Sequence, residues 1–246
     1  MRIEAVIVCK DCSDFLEHTL AENASQLDDI VIVTHPDDKR THQVCNRHSV
    51  HFVKTEVFNE FGHSFNKGKA INVGLDNIRG DDWVLHMDAD IVLCQGFRRM
   101  LDFAQLDTRN IYGADRINVY GWDAWQKLKP MLGRHYQDRW FIDPGFCHAP
   151  SSPSDIKIGA RVIHKEYGYV PIGFFQLFHS TSGARYNFKR GAAAGTDVMF
   201  PAQWPRERRI LLPEVVVYHL DSEKTHGVGT NWKGRKSKPF GGRCYK

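Results

Sequence analysis

Four short runs of β-branched and apolar residues, IEAVIVC (3–9), DIVIVTH (29–35), SVHFVKT (49–55) and DWVLHMD (82–88), are separated by longer polar stretches. A strand with one wet face alternates apolar and polar residues, whereas continuous apolar runs suit strands covered on both faces, the condition of a parallel sheet. Segments 13–26, 37–48 and 66–79 lie between the runs and read as helices. Ser13 is placed to cap the first, Pro36 to stand near the start of the second and Asn66 to cap the third. Strand and helix thus alternate through residue 90. This predicts an α/β fold with a mostly parallel central sheet, helices on its faces, and a ligand edge at the C-terminal ends of the strands.

After residue 110 the pattern loosens. NIYGADRINVY (110–120) and GYVPIGFFQLFHS (168–180) look like strands, GWDAWQKLKPML (121–132) like a helix, and DPGFCHAPSSPSD (143–155) like a Pro/Ser-rich loop. No internal repeat is visible, and 246 residues with 42% hydrophobic content can build one core. The expected organisation is one domain over 1–246: a ligand-binding half (1–100), an elaborated second half (101–221) and a basic flexible tail or lid (222–246). No stretch approaches the roughly 18 apolar residues of a membrane span, and the start lacks a leader-like apolar core, so a soluble, cytoplasmic protein is expected. Six cysteines do not form a dense framework, which makes reduced thiols the default. CKDC (9–12) has redox or zinc spacing, but no second CxxC completes a four-thiolate site.

Against this background WVLHMDADIVL (83–93) is unusual, because two aspartates, Asp88 and Asp90, stand directly behind an apolar run. An isolated carboxylate is costly to desolvate, so such a pair faces water, a cation or a cationic partner. At a strand end, carboxylates one residue apart point the same way and can approach one hard cation. A cation held by few protein oxygens keeps positions open for a substrate phosphate. An exposed turn after a strand is the other reading of the spacing. About one helix upstream, FNKGKAINVGL (65–75) places Lys67, Gly68 and Lys69 in a first helical turn, where free N–H groups and lysines suit an anion, with Ile71, Gly74, Leu75 and Ile78 as a buried stripe.

FNKGKAINVGL followed by GDDWVLHMDADIVL resembles the donor-binding half of GT-A glycosyltransferases. It is most similar to family-2-like enzymes and to the β-1,4-galactosyltransferase and chondroitin-synthase groups, over residues 1–100. The resemblance implies a GT-A, Rossmann-like sheet and an enzyme that transfers a sugar from a nucleoside diphosphate sugar, UDP the expected nucleotide, with Mn²⁺ or Mg²⁺. It implies that the first strand edge (Cys9, Lys10) and Asn66 and Lys67 contact the nucleotide. Asp90 becomes a metal ligand, and Asp88 a contact to the sugar, the ribose or the metal.

The same resemblance locates a catalytic base. AAAGTDVMFPAQW (192–204) stands where the family carries a Gly-Gly-Glu-Asp-like turn leading into a helix, and it offers Asp197, whose other role would be a helix N-cap. An inverting transfer needs a carboxylate to take the acceptor's proton on the face opposite the leaving diphosphate. Thr196 replaces a glutamate that helps the galactosyltransferases hold their acceptor, so acceptor identity does not carry over. His219 ends the run EVVVYH much as Asp90 follows its own, and related enzymes provide a metal-binding histidine after a late strand; His226 is the other candidate. GVGTNWKGRKSKPFGG (227–242) reads as a disordered tail or as a lid in which Lys233 reaches the donor diphosphate.

Charge leaves a further option open. From Arg206 to Lys246 ten Lys/Arg stand against four acids, although the whole chain is only +4. A basic end interleaved with aromatics also suits nucleic acid, as a binding protein without transferase activity or as a phage-type glycosyltransferase of hydroxymethylated DNA bases. The acceptor hydroxyl is therefore open among saccharide, lipid, protein and modified DNA. A nucleotidyltransferase normally has a glycine-rich loop after its first strand, and VCKDCSD has no glycine.

Overall fold

The apolar runs become strands whose alternate residues feed two cores. In β1 (Ile3–Val8) every residue is buried: Ile3, Ala5 and Ile7 enter one hydrophobic cluster, Val6 and Val8 the other. β1 pairs in parallel with β2 (Asp29–Thr34) and with β4 (Trp83–Asp88), and β2 with the half-exposed edge strand β3 (His51–Lys54). This computed structural model describes residues 1–62, 65–132, 156–158, 163–164, 168–187, 196, 199–222 and 240.

Three helices cover this parallel half: α1 (Ser13–Asn23), α2 (Lys39–Arg47) and α3 (Lys67–Leu75). Asn66 caps α3 as expected, its side-chain oxygen accepting from the N–H of Lys69. The other two starts differ. Ser13 is the first residue inside α1, behind Cys12, which makes no side-chain cap bond. α2 is capped by Asp38, which accepts from Thr41, two residues beyond Pro36.

Gly74 explains the close seating of α3. A Cβ there would come within 2.3 Å of Val6 Cγ1 and 3.0 Å of Val33 Cγ2, both on strands of the sheet. Gly74→Ala is therefore expected to overpack this contact and lower unfolding stability by about 1–3 kcal/mol, read as a fall in the urea midpoint at unchanged slope. A variant as stable as the parent would show that α3 can move away freely.

The second half adds β5 (Ile91–Val92), α4 (Phe97–Phe103), β6 (Ile111–Tyr120), α5 (Gly121–Leu128), β7 (Ile156–Ile158), β8 (Ile163–His164), β9 (Gly168–Tyr169), β10 (Phe175–His179) and β11 (Arg209–Asp221). One sheet runs through both halves in the order β3-β2-β1-β4-β10-β6-β11-β5, with β7 beside β6. β6 and β11 are parallel, but β10 is antiparallel to both neighbours, and β5 and β7 are antiparallel to β11 and β6. The sheet is thus parallel through β3-β2-β1-β4 and mixed beyond. The strand expected over 168–180 is broken into β9 and β10, and the helix over 121–132 closes in a 3-10 turn at Lys129–Met131. The 143–155 loop lies outside the described residues.

Of the 222–246 segment, Ser222 and Phe240 are described, and both are buried. The Phe240 ring stacks on Phe15 at 4.6 Å and touches Trp122, while its N–H donates to Asp14. The rest of that segment lies outside the described residues. Cys9, Cys12, Cys45 and Cys94 are free thiols. No helix among the described residues is long and apolar enough to cross a membrane.

Candidate active site

β4 ends at Asp88, and the chain turns through Ala89 and Asp90 into β5, which pairs with β11 so that Ile91 faces His219. The N–H of Leu220 donates to the Asp90 carbonyl at 2.9 Å, stitching the turn to β11. This pairing brings His219 Nε2 within 3.5 Å of Asp90 Oδ2, both side chains nearly buried. On β6, Asn118 lies directly opposite His219 and sets its Oδ1 3.1 Å from the ring Nδ1. An amide oxygen only accepts, so this contact sets a hydrogen on Nδ1 and points Nε2 at the carboxylate, where it forms an ion pair when protonated and is open to a metal when not.

Two electron-rich atoms so placed fit a cation between them. Cis ligands about 2.1 Å from one octahedral ion are about 3 Å apart. Imidazole and carboxylate are both ordinary divalent-metal ligands, and a second-shell acceptor on Nδ1 is the usual way to orient a metal-binding histidine. Among the described residues no third His, Cys, Asp or Glu joins them. The remaining positions would fall to water and phosphate.

Asp88 is engaged differently. Lys67, buried in the first turn of α3, sets Nζ 2.7 Å from Asp88 Oδ1 and also reaches the Gly173 carbonyl at 3.4 Å. Burial pushes the Asp88 carboxyl up, the Lys67 ammonium opposes this, and the Asp90 carboxylate adds to it. The lysine expected at the nucleotide is thus turned onto the first aspartate, and the pair spans α3 and β4.

The other expected residues are spread along the same edge. Lys10 donates to Asn59 Oδ1 at 3.0 Å and lies over the Phe58 ring, and Asn59 contacts His35 Nε2. These groups from β1, β2 and the turn Val57–Gly62 form a polar rim. Cys9 stands at the expected strand end, but its thiol faces inward to Thr41, and burial holds it well above the usual thiol range, so only its main chain is left for a ligand. Asn66 is buried, its oxygen used in capping α3. Asp197, Lys233 and His226 lie outside the described residues. Thr196 is buried, and a Cβ at Gly68 in α3 would lie 3.0 Å from its Cγ2, so the residue preceding Asp197 rests against the turn that carries Lys67.

Sequence reasoning missed the supports. Thr19 donates to the Ala89 carbonyl, Asn23 donates to the Ile91 carbonyl and accepts from the Leu93 N–H, and Gln26 accepts from the Phe97 N–H. These side chains, two from α1 and one from the 3-10 turn Ala24–Gln26 that follows it, thereby hold the main chain of the 89–97 segment on both sides of β5. Their signal was present as polar residues interrupting the stripe Phe15, Leu16, Leu20. Asn118 gave none, since its role needs the β6–β11 register. Asn23→Leu should leave Ile91 O and Leu93 N buried without partners, at a cost of about 2–4 kcal/mol in urea unfolding. A loss below about 0.5 kcal/mol would show that water replaces both bonds.

The sequence pattern of "Glycosyl transferase family 2" matches residues 4–155, more than half of the chain. The chain belongs to glycosyl transferase family 2. No curated protein sequence matches it. Among solved structures it is similar to glucosyl-3-phosphoglycerate synthase from Mycobacterium tuberculosis in complex with Mn²⁺, UDP and glucosyl-3-phosphoglycerate, at 11% identity over 89% of this chain and 70% of that one, with a TM-score of 0.49. It is also similar to mannosyl-3-phosphoglycerate synthase from Rubrobacter xylanophilus, at 20% identity over 49% of this chain, with a TM-score of 0.35. The match spans 41% of the latter's length.

Proposed function

We propose that this chain transfers a sugar from a nucleoside diphosphate sugar, UDP the favoured nucleotide, to an acceptor hydroxyl with inversion and with the help of a divalent cation. The observation that carries the reading is the convergence of Asp90 and His219 at the C-terminal strand edge, with Asn118 setting the ring. Mn²⁺ or Mg²⁺ held there supplies positive charge to the departing diphosphate. Lys67 keeps the Asp88 carboxylate partnered beside the metal ligands, leaving Asp88 available to a sugar or ribose hydroxyl. Lys10, with Asn59 and His35, offers the rim for the nucleoside. Asp197 is the proposed base: its carboxylate takes the proton of the acceptor hydroxyl as that oxygen bonds to the anomeric carbon, and the bond to the diphosphate breaks with its electron pair leaving on phosphate oxygen. Kinship with the galactosyltransferase and chondroitin-synthase groups rests on the residue 65–93 motifs alone, and the acceptor class stays open among saccharide, lipid, protein and modified DNA.

The test is release of nucleoside diphosphate from a panel of nucleotide sugars, with Mn²⁺ and with chelator. Metal-dependent turnover of UDP-sugars is expected. Equal turnover in chelator would remove the metal from the mechanism, and none with any donor would remove the transfer reaction.

A further inference from the structure

Of the ten residues of β6 only Arg116 and Tyr120 are not buried, and with Asn118 between them they share one face of the strand. Asn118 on that face holds His219. On the other side the Arg116 guanidinium carbon lies 4.8 Å from the centre of the Phe174 ring, and the Phe174 carbonyl accepts from the Asp88 N–H. Arg116 thus sits between the two parts of the site, backed by an aromatic face.

Among the described residues its charge meets the Phe174 ring and acts on Tyr120, but no carboxylate pairs with it. Among the described residues Arg116 makes no ion pair or hydrogen bond, and its buried Nε has no partner. The nearby acids are otherwise placed. Asp88 pairs with Lys67 and Asp90 faces His219; Asp115 stands on the opposite face of β6, and the buried Asp221, opposite Tyr120, accepts from the Ser222 N–H. A guanidinium stripped of water at Nε and set over an aromatic ring is a preformed fork for a planar or tetrahedral oxyanion. β6 is separated from β1 and the nucleoside rim by β4 and β10. A group reaching Arg116 therefore comes from the acceptor side of the sugar.

Resting on the function proposed above, we infer that Arg116 binds a phosphate or carboxylate of the acceptor, so that the acceptor is an anionic molecule. Sulfate is the probe, titrated calorimetrically into protein saturated with UDP and Mn²⁺. Arg116→Gln should weaken sulfate binding by about tenfold or more, the worth of a charge-assisted hydrogen bond, with Arg116→Lys intermediate and UDP–Mn²⁺ affinity within about threefold of the parent. Absence of sulfate binding by the parent, or equal binding by the Gln variant, overturns the inference. A tenfold loss of UDP–Mn²⁺ affinity in the variant assigns Arg116 to the donor diphosphate and overturns it too. If Arg116→Gln does not fold, Arg116→Lys decides by the same readings. Failure of the parent to bind UDP with Mn²⁺ counts instead against the proposed donor.

Discussion

Asp90→Ala is expected to weaken Mn²⁺-dependent UDP binding by roughly 10²-fold or more, about 2.7 kcal/mol, while UDP binding without metal stays as it was. The substitution takes away one of the two side-chain donors that converge at the turn, and His219 alone is a weak anchor for a divalent ion. It should not unfold the chain. Asp90 ties the turn to β11 through its main-chain carbonyl, which alanine retains, and loss of its charge relieves repulsion with Asp88. Because His219 would share the same ion, Asp90→Ala and His219→Ala should be strongly non-additive, the double variant binding UDP–Mn²⁺ little worse than either single one. Calorimetric titration with and without Mn²⁺ measures all four proteins. Unchanged affinity in Asp90→Ala would take that residue out of the metal site, and full additivity would mean that the two side chains serve different ligands.

The second large effect concerns turnover. Asp197→Asn should reduce transfer by roughly 10²-fold or more with donor binding near normal, because the amide keeps the carboxylate's shape and cannot accept the acceptor's proton. Thr196, the residue before it in the sequence, is buried, and a Cβ at Gly68 of α3 would lie 3.0 Å from its Cγ2. A helix N-cap role predicts a different outcome, since asparagine caps about as well as aspartate and the variant would then be nearly silent. Transfer within a fewfold of the parent, measured with a genuine acceptor, would leave Asp197 as a cap.

The legible parts of this molecule were those fixed within about fifteen residues. β1 and β4 announce themselves because each is mostly β-branched or apolar, and α3 because Asn66 precedes the stripe Ile71, Gly74, Leu75 and Ile78. The start of α3 could be read, but not its end at Leu75, four residues short of the expected 79, nor that Gly74 seats the helix against Val6 and Val33. β5 was missed because two residues are too few to show a period, and β10 lay hidden in a longer apolar stretch broken after Tyr169. At the site, Asp90 and His219 each follow an apolar run, and the resemblance to GT-A glycosyltransferases offered both as metal ligands. Their meeting could not be read, since it depends on β11 returning beside β5, about 130 residues later. A lysine in a first helical turn is expected to meet an anion, and the anion that Lys67 meets is the Asp88 carboxylate.

Thr19 and Asn23 of α1 and Gln26 just beyond it have a bearing on how such a protein can be re-engineered. The turn bearing Asp90 takes its position from a helix some seventy residues earlier in the chain, so the two behave as one mechanical part. Grafting the 88–94 segment alone into another scaffold would carry the ligand residues without their mount. A transplant that includes Thr19, Asn23 and Gln26 carries both. Conversely, if Asp90 and His219 hold a cation as proposed, substitutions on α1 should alter its choice of ion, since a shift of a few tenths of an ångström in the turn changes the span between the two side chains.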